Sequence, residues 1–226
     1  MPFNPFEKHL PYAFSKAAVE HECLKAAAEG LEVVVAVSCA ILGPNDFKPS
    51  RMGRLLCDFA RGRLHYYLPG GFEFVAARDI VEGHILAMQK GRSGQKYILS
   101  TQFCTVDELL DIYEQVTGRR RPWLRLPPAL MAICARVADP IMAGFFPAVP
   151  RRFTPAAVRI LRMHRRANCA KARAELGYQP TSIEQAVREA YEWFIEQGAI
   201  PQRAPAGVAA RSRPGETDRR PVSLSR

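Results

Sequence analysis

The chain has 226 residues, 48% of them hydrophobic and 24% charged, with a formal net charge of +10; this composition fits one globular domain or two small ones and argues against a disordered or collagenous chain. Its charge-free runs, Leu126 to Ala135 and Pro140 to Pro150, fall short of the roughly 20 apolar residues that cross a bilayer, which excludes a transmembrane helix. The surplus charge sits in arginine clusters near 119–121, 151–152 and 159–166 and in an Arg-rich tail from residue 202 that is expected to be disordered; no aromatic residues interleave with the clusters, so a solvated or anion-steering surface is expected and nucleic acid is not an expected partner.

The N-terminal sequence MPFNPFEKHLPY lacks the basic, apolar and small-residue succession of a secretory signal, so a cytoplasmic protein is expected, with its six cysteines reduced. No two of those cysteines form a CxxC pair, and no metal site is expected. From Tyr12 to Glu29 the Ala-, Lys- and Glu-rich sequence predicts a helix that Gly30 stops. Leu31 to Val37 (LEVVVAV) predicts a strand buried on both faces, hence part of a parallel sheet, which leaves through a Gly43-Pro44 turn. Helical spacing returns from Ser50 to Gly62. Phe72 to Ala77 predicts a strand, after which Asp79 and Glu82 have the spacing of a capping box. Lys96 to Leu99 predicts a further strand. Thr105 with Glu108 predicts a capped helix ending near Gly118, and Thr154-Pro155 another helix start. The last helix begins at Ser182 with Gln185, carries Ile183, Ala186, Val187, Ala190, Tyr191, Phe194 and Ile195 as one stripe, and ends at Gly198. Trp123 to Pro150, rich in Met, Phe, Ala and Pro, either packs or covers a lipophilic cavity.

Tyr12 and Lys16 lie four residues apart on the first helix, so a phenol and an ammonium share one face and can meet one ligand. An ammonium beside a phenol favours the phenolate, which suits proton exchange at a carbonyl or alcohol oxygen. Tyr and Lys also occur at this spacing on ordinary helices. The wider block YAFSKAAVEHECLKAAAEGLEVVVAVSCAILGPND resembles the active-site helix, following strand and GP turn of the extended short-chain dehydrogenases/reductases of the NAD-dependent epimerase/dehydratase family. KPSRMGRLLCDFARGRL, FEFVAARDIVEGHILAMQKGRSGQKYIL, AKARAELGYQP and YEWFIEQG follow in that family's order, most like its dihydroflavonol-reductase-like and hopanoid-associated sugar epimerase branch; the resemblance covers about residues 10 to 200.

The resemblance implies an α/β Rossmann-type, doubly wound parallel sheet, of which this chain is the C-terminal portion, with a mostly helical substrate-binding lobe. The implied division is 1–118 for the sheet part, 119–201 for the lobe and 202–226 for the tail. It also implies NAD or NADP as cofactor, Tyr12 as acid/base, Lys16 on the nicotinamide ribose, and Ser38 and Cys39 beside the nicotinamide, where the family more often has proline and a small residue. Asp79 aligns with a structural aspartate. Only eleven residues precede Tyr12, and no GxGxxG or GxxGxxG occurs among the fifteen glycines, so the backbone cradle for a pyrophosphate is expected to lie outside this chain. Two functions stay open: an oxidoreductase or epimerase acting on a small sugar or polycyclic substrate, and a truncated, non-catalytic remnant acting as a binding or partner protein. A homodimer and an association with a missing N-terminal half are the partner arrangements expected, with no integral membrane anchor.

Overall fold

The computed structural model describes residues 11–127, 161 and 163–202. The first helix, α1 (Pro11–Ala28), ends as its sequence predicts: Gly30 takes φ +101°, Leu31 N–H donates to Ala26 O at 3.0 Å and Gly30 N–H to Ala27 O at 3.2 Å. These two bonds satisfy carbonyls that the helix end would otherwise leave orphaned, and glycine tolerates the left-handed backbone they require.

The chain then extends into β1 (Val35–Ser38), which pairs in parallel with β5 (Lys96–Leu99), Val35 opposite Lys96 and Ser38 opposite Leu99. At Cys39 the same run leaves β5 and joins β4 (Gly71–Ala76) as β2 (Ala40–Leu42), again in parallel. The chain after β5 turns likewise at Ser100–Thr101: Thr101 N–H donates to Phe74 O, and β6 (Gln102–Thr105) runs antiparallel along β4. Two chain segments therefore change partners at the same level of the sheet. The strand predicted from Leu31 starts four residues later, and it is half-buried rather than buried on both faces. Among the described residues only β5 pairs with β1, so one edge of that strand carries no neighbour and burial is incomplete.

Helices cover both faces of the sheet, as the period-two alternation of β4 dictates. Phe74 and Ala76 point into a cluster with Leu56, Phe59, Leu110, Tyr113, Val187 and Phe194, contributed by α2 (Arg51–Ala60), α4 (Val106–Thr117) and α6 (Ile183–Glu196). Val75 points the other way, into a cluster with Tyr97, Leu99, Ala172, Leu176 and Tyr178 that involves α3 (Ala77–Lys90) and α5 (Ala170–Leu176). The result is the expected α/β layering. At the Gly43-Pro44 turn a side chain at 43 would put its Cβ 2.5 Å from that of Ala77, so only glycine lets β2 leave beside the start of α3. A separate two-residue parallel ladder joins β3 (Tyr66–Tyr67) to β7 (Leu124–Arg125).

Caps read from sequence are realised at α4, where Thr105 and Glu108 exchange both capping bonds, and at α6, where the Ser182 side chain accepts from Gln185 N–H. The capping box expected at Asp79 and Glu82 is not formed. The N-cap of α3 is Ala76, so Asp79 falls inside the first turn, where its carboxylate is 1% exposed and accepts from Thr181 N–H at 2.7 Å and Thr181 Oγ1 at 2.9 Å. Burial against a partner 102 residues away outcompetes the local cap, and Asp79 pins the entry to α6 onto α3. Asp79→Ala leaves both donors without an acceptor, and urea unfolding should show a loss of about 1–3 kcal/mol. The helix start at Thr154-Pro155 lies outside the described residues.

A second tie fastens α5 to β5. The buried Tyr97 hydroxyl donates to Glu175 Oε2 at 2.8 Å, Arg92 Nη2 reaches Glu175 Oε1 at 2.8 Å, and Lys171 Nζ stands 5.0 Å from the Tyr97 ring centre. The Tyr97 hydroxyl, followed by the Arg92 guanidinium, holds the Glu175 carboxyl below its ordinary range. A carboxyl lowered by folding contributes stability above its unfolded value and loses it as pH falls through the folded one. The stability advantage of the parent over Glu175→Gln should therefore be complete above about pH 5 and close as pH drops below the ordinary glutamate value of about 4.3, as urea unfolding across that range will report.

Candidate active site

Tyr12 and Lys16 open α1 one turn apart, and their side chains meet: the Lys16 ammonium lies 5.7 Å from the Tyr12 ring centre. Both are exposed, Tyr12 by 73%. The helix is fixed to the sheet lower down. Lys96 Nζ donates to Glu20 Oε1, and a Cβ at Gly94 would lie 3.9 Å from that of Ala27. Gly94 N–H donates in turn to Val33 O, so Ala27 and Val33 are level.

From that level the two segments rise together. Tyr12 stands about 22 Å up the helix from Ala27 at about 1.5 Å per residue. Cys39 stands about 20 Å up the extended chain from Val33 at about 3.3 Å per residue. At these ideal rises Tyr12 and Lys16 come level with Ser38, the last residue of β1, and with Cys39 just after it, and no hydrogen bond joins the two pairs among the described residues. Open α/β sheets bind ligands at that end.

The two post-strand residues differ in what they offer. Ser38 is exposed, its hydroxyl available at the strand end. Cys39 is half-buried, and burial, then the Glu73 carboxylate and the Cys169 thiol, push its thiol up to about 12, so it remains a neutral thiol and no nucleophile near neutral pH. Cys23, Cys57, Cys104 and Cys169 are also free thiols.

Sequence reasoning passed over two neighbours. Ser100, 1% exposed, and Thr101 follow β5 at the level where Cys39 follows β1, and their hydroxyl oxygens are buried without hydrogen-bond partners. Unpaired buried hydroxyls are uncommon and mark the chain just after β5 as polar. Their signal was the abrupt change from KYIL to ST.

A cavity of about 770 Å³ lies elsewhere, lined by Arg61, Arg63, Arg119 and Tyr191 among others. It is bounded by the ends of α2 and α4, by Tyr191 of α6 and by the chain after α6, none of which carries Tyr12, Lys16, Ser38 or Cys39. Two of its arginines hold backbone carbonyls: Arg119 Nε donates to Ala60 O, at the end of α2, at 3.0 Å, and Arg61 donates to Ala199 O in the chain after α6. The cavity is therefore set aside as the catalytic candidate in favour of the carboxyl-end cluster. Of the segment from Trp123 to Pro150, only Trp123 to Pro127 are among the described residues, so its covering role lies outside them.

Residues 2–100 match the model of the NAD dependent epimerase/dehydratase family. The chain is 41% identical over 197 residues to sterol demethylase protein B of Methylococcus capsulatus, covering 87% of this chain and 60% of that protein. Its fold matches the crystal structure of gox2253 with a TM-score of 0.70 at 30% identity, covering 84% of this chain and 57% of that one. A nucleoside-diphosphate-sugar epimerase from Pseudomonas aeruginosa matches with a TM-score of 0.67 at 24% identity, over 86% of this chain and 60% of that one, a likeness of fold. The chain thus spans less than two thirds of the length of each.

Proposed function

We propose, for a chain that belongs to the NAD dependent epimerase/dehydratase family, that it carries the proton-transfer and substrate side of an NAD(P)-dependent oxidoreductase interconverting an alcohol and a carbonyl. The observation that supports this reading is the contact of the Lys16 ammonium with the Tyr12 ring, 5.7 Å from its centre, on the exposed first turns of α1. NAD(P), when bound, supplies the partner that takes or gives the hydride. Tyr12 takes the proton from the alcohol oxygen in oxidation and returns it to the carbonyl oxygen in reduction. Lys16 offers three donors, which fit a ribose diol as well as the phenol beside it, and Ser38 adds a hydroxyl at the strand end. Tyr12, Lys16, Ser38 and Cys39 thus form the proposed site, Cys39 through its backbone.

The residues present fit the ribose and nicotinamide end of the cofactor only. A pyrophosphate rests on backbone N–H groups of a glycine-rich turn at a helix start, and the sequence holds no such turn. In this reading, residues 1–118 complete a nucleotide-binding fold begun elsewhere, and 119–201 form the substrate lobe. The unpaired edge of β1 is where a neighbouring strand of that fold would join. The same two features favour the second reading, a non-catalytic remnant that binds a ligand or partner.

For the substrate we favour a hydroxylated polycyclic lipid over a nucleotide sugar. The 41% identical relative is named for sterol demethylation, whereas the likeness to the sugar epimerase is one of fold. The test is a chimera in which the nucleotide-binding part of the Methylococcus capsulatus relative is fused ahead of Pro11. Absorbance of NAD(P)H is followed with a hydroxysterol and with a nucleotide sugar. Turnover of the sterol alone supports the reading, turnover of the sugar alone moves the substrate class, and a well-folded chimera that binds cofactor but turns over neither supports the remnant.

A further inference from the structure

The cavity at the ends of α2 and α4 takes no part in the proposed catalytic site. Of the residues that line it, Arg61 and Arg63 follow α2, Arg119 follows α4, and Tyr191, Ile200 and Pro201 come from α6 and the chain after it. Among the described residues no aspartate or glutamate lines it, and none of its three arginines stands in an ion pair, whereas Arg92, Arg121 and Arg188 are held by Glu175, Asp111 and Glu184. Three like charges on the wall of a concavity of about 770 Å³ focus a positive field into it, in a volume that suits a small organic ligand.

Two of these arginines are fixed by the chain itself. Arg119 N–H donates to Thr117 Oγ1 at 3.2 Å, and Arg119 Nε donates to Ala60 O at 3.0 Å. The Arg119 guanidinium lies over Gly62, where a Cβ would come within 2.7 Å of its Cζ; Gly62 also takes φ +72°, so both the space and the backbone of that seat call for glycine. Arg61 Nη2 donates to Ala199 O. Each of the two guanidinium groups commits one N–H to a carbonyl and keeps the others, and each covers an oxygen that would otherwise repel an anion. Arg63 is exposed, and its side chain has no partner among the described residues. Tyr191, half-buried, and Ile200, buried, add an apolar wall continuous with the core cluster around Phe194.

We propose that this cavity binds a phosphorylated small molecule, with its phosphoryl oxygens on the guanidinium groups of Arg61, Arg63 and Arg119 and its apolar part against Tyr191 and Ile200. Planar guanidinium groups match phosphoryl oxygens in pairs, and a phosphate monoester near neutral pH sets close to two charges against the three cations, where a carboxylate sets one. The chain's own sequence past Gln202 is a poor source of the anion, since residues 203–226 hold six arginines against Glu216 and Asp218. The site shares no residue with the proposed catalytic site and stands apart from that reading.

Phenyl phosphate is the probe, titrated by calorimetry into the 226-residue chain beside inorganic phosphate and benzoate. It should saturate with a dissociation constant of about 1 mM or below and bind about fivefold or more tightly than either control, since one lacks the ring and the other the phosphoryl group. Its binding should also tighten between about pH 5 and pH 7, as the ester loses its second proton near a pKa of about 6. Arg63→Gln, at an exposed position, should fold as the parent does by circular dichroism and weaken binding by about tenfold or more, the worth of one charge-assisted hydrogen bond. Lys16→Ala should leave the binding unchanged. No saturation, equal affinity in Arg63→Gln, either control binding as tightly as phenyl phosphate, or a loss of binding in Lys16→Ala would each overturn the proposal, the last by placing the anion on α1.

Discussion

Tyr12→Phe, in the chain completed by a relative's nucleotide-binding part, is expected to lower kcat by about 10²–10⁴-fold while leaving cofactor affinity within about twofold. The phenol hydroxyl is the proton carrier in the proposed site, and its removal leaves the ring, the helix and the ribose-facing Lys16 in place. Tyr12 is exposed, two turns from the Glu20 carboxylate that ties the helix to Lys96, so the substitution has no fold to disturb. Lys16→Ala should behave differently and reduce both turnover and cofactor affinity, because one ammonium serves the phenol and the ribose. Steady-state kinetics together with a cofactor titration separates the two patterns. An unchanged kcat for Tyr12→Phe removes the acid/base assignment.

Phe194→Ala should cost about 3–5 kcal/mol of stability, the range for emptying a buried aromatic site. Phe194 is 1% exposed, packs edge-on against Trp193 at 5.0 Å between ring centres, and lies where α6 closes over α2: a Cβ at Gly53 would come within 2.9 Å of its ring. Neither α6 nor α2 can shift inward to refill the space without losing the contacts of Val187 or Leu56 in the same cluster. For a domain stable by about 5–15 kcal/mol this loss approaches the whole. Phe194→Leu, which keeps most of the volume, should cost less than about 1.5 kcal/mol. Urea unfolding of both variants checks the pair, and a loss below about 1 kcal/mol for Phe194→Ala would show that α6 is not held as the structure has it.

What the sequence made legible follows from how local each signal is. α4 and α6 were readable to within a residue because Thr105 with Glu108 and Ser182 with Gln185 act within one turn, and because a 3.6-residue stripe needs no knowledge of what it packs against. β5 was readable as a short apolar run. The same kind of local rule failed at Asp79, where Thr181 supplies a better partner from across the fold. β2 and β6 were missed because each continues a neighbouring strand after a change of partner, at Cys39 and at Ser100–Thr101, and such a change is decided by pairing geometry rather than by residue type. α5, seven residues long, is held by Leu176, Ala172 and the Glu175 bond to Tyr97, none of which forms a pattern long enough to be read. For the site, the spacing of Tyr12 and Lys16 indicated only that a phenol and an ammonium share one helix face, which the structure shows; their proposed role comes from the resemblance of the surrounding block. The polar stretch just after β5, Ser100 and Thr101, was not legible, since only burial distinguishes it from an ordinary turn.

Titration of NADPH into the 226-residue chain and into the completed chimera tests the central claim most directly, that this chain holds the proton-transfer end of the cofactor site without the phosphate cradle. The chain alone should show no saturable binding in the micromolar range, about −8 kcal/mol, because hydrogen bonds from Lys16 and Ser38 alone act on one end of the ligand. The chimera should bind in that range, and Lys16→Ala should weaken it by about tenfold or more, the loss of one charge-assisted hydrogen bond. Micromolar binding by the 226-residue chain, or a chimera indifferent to Lys16→Ala, would contradict the account.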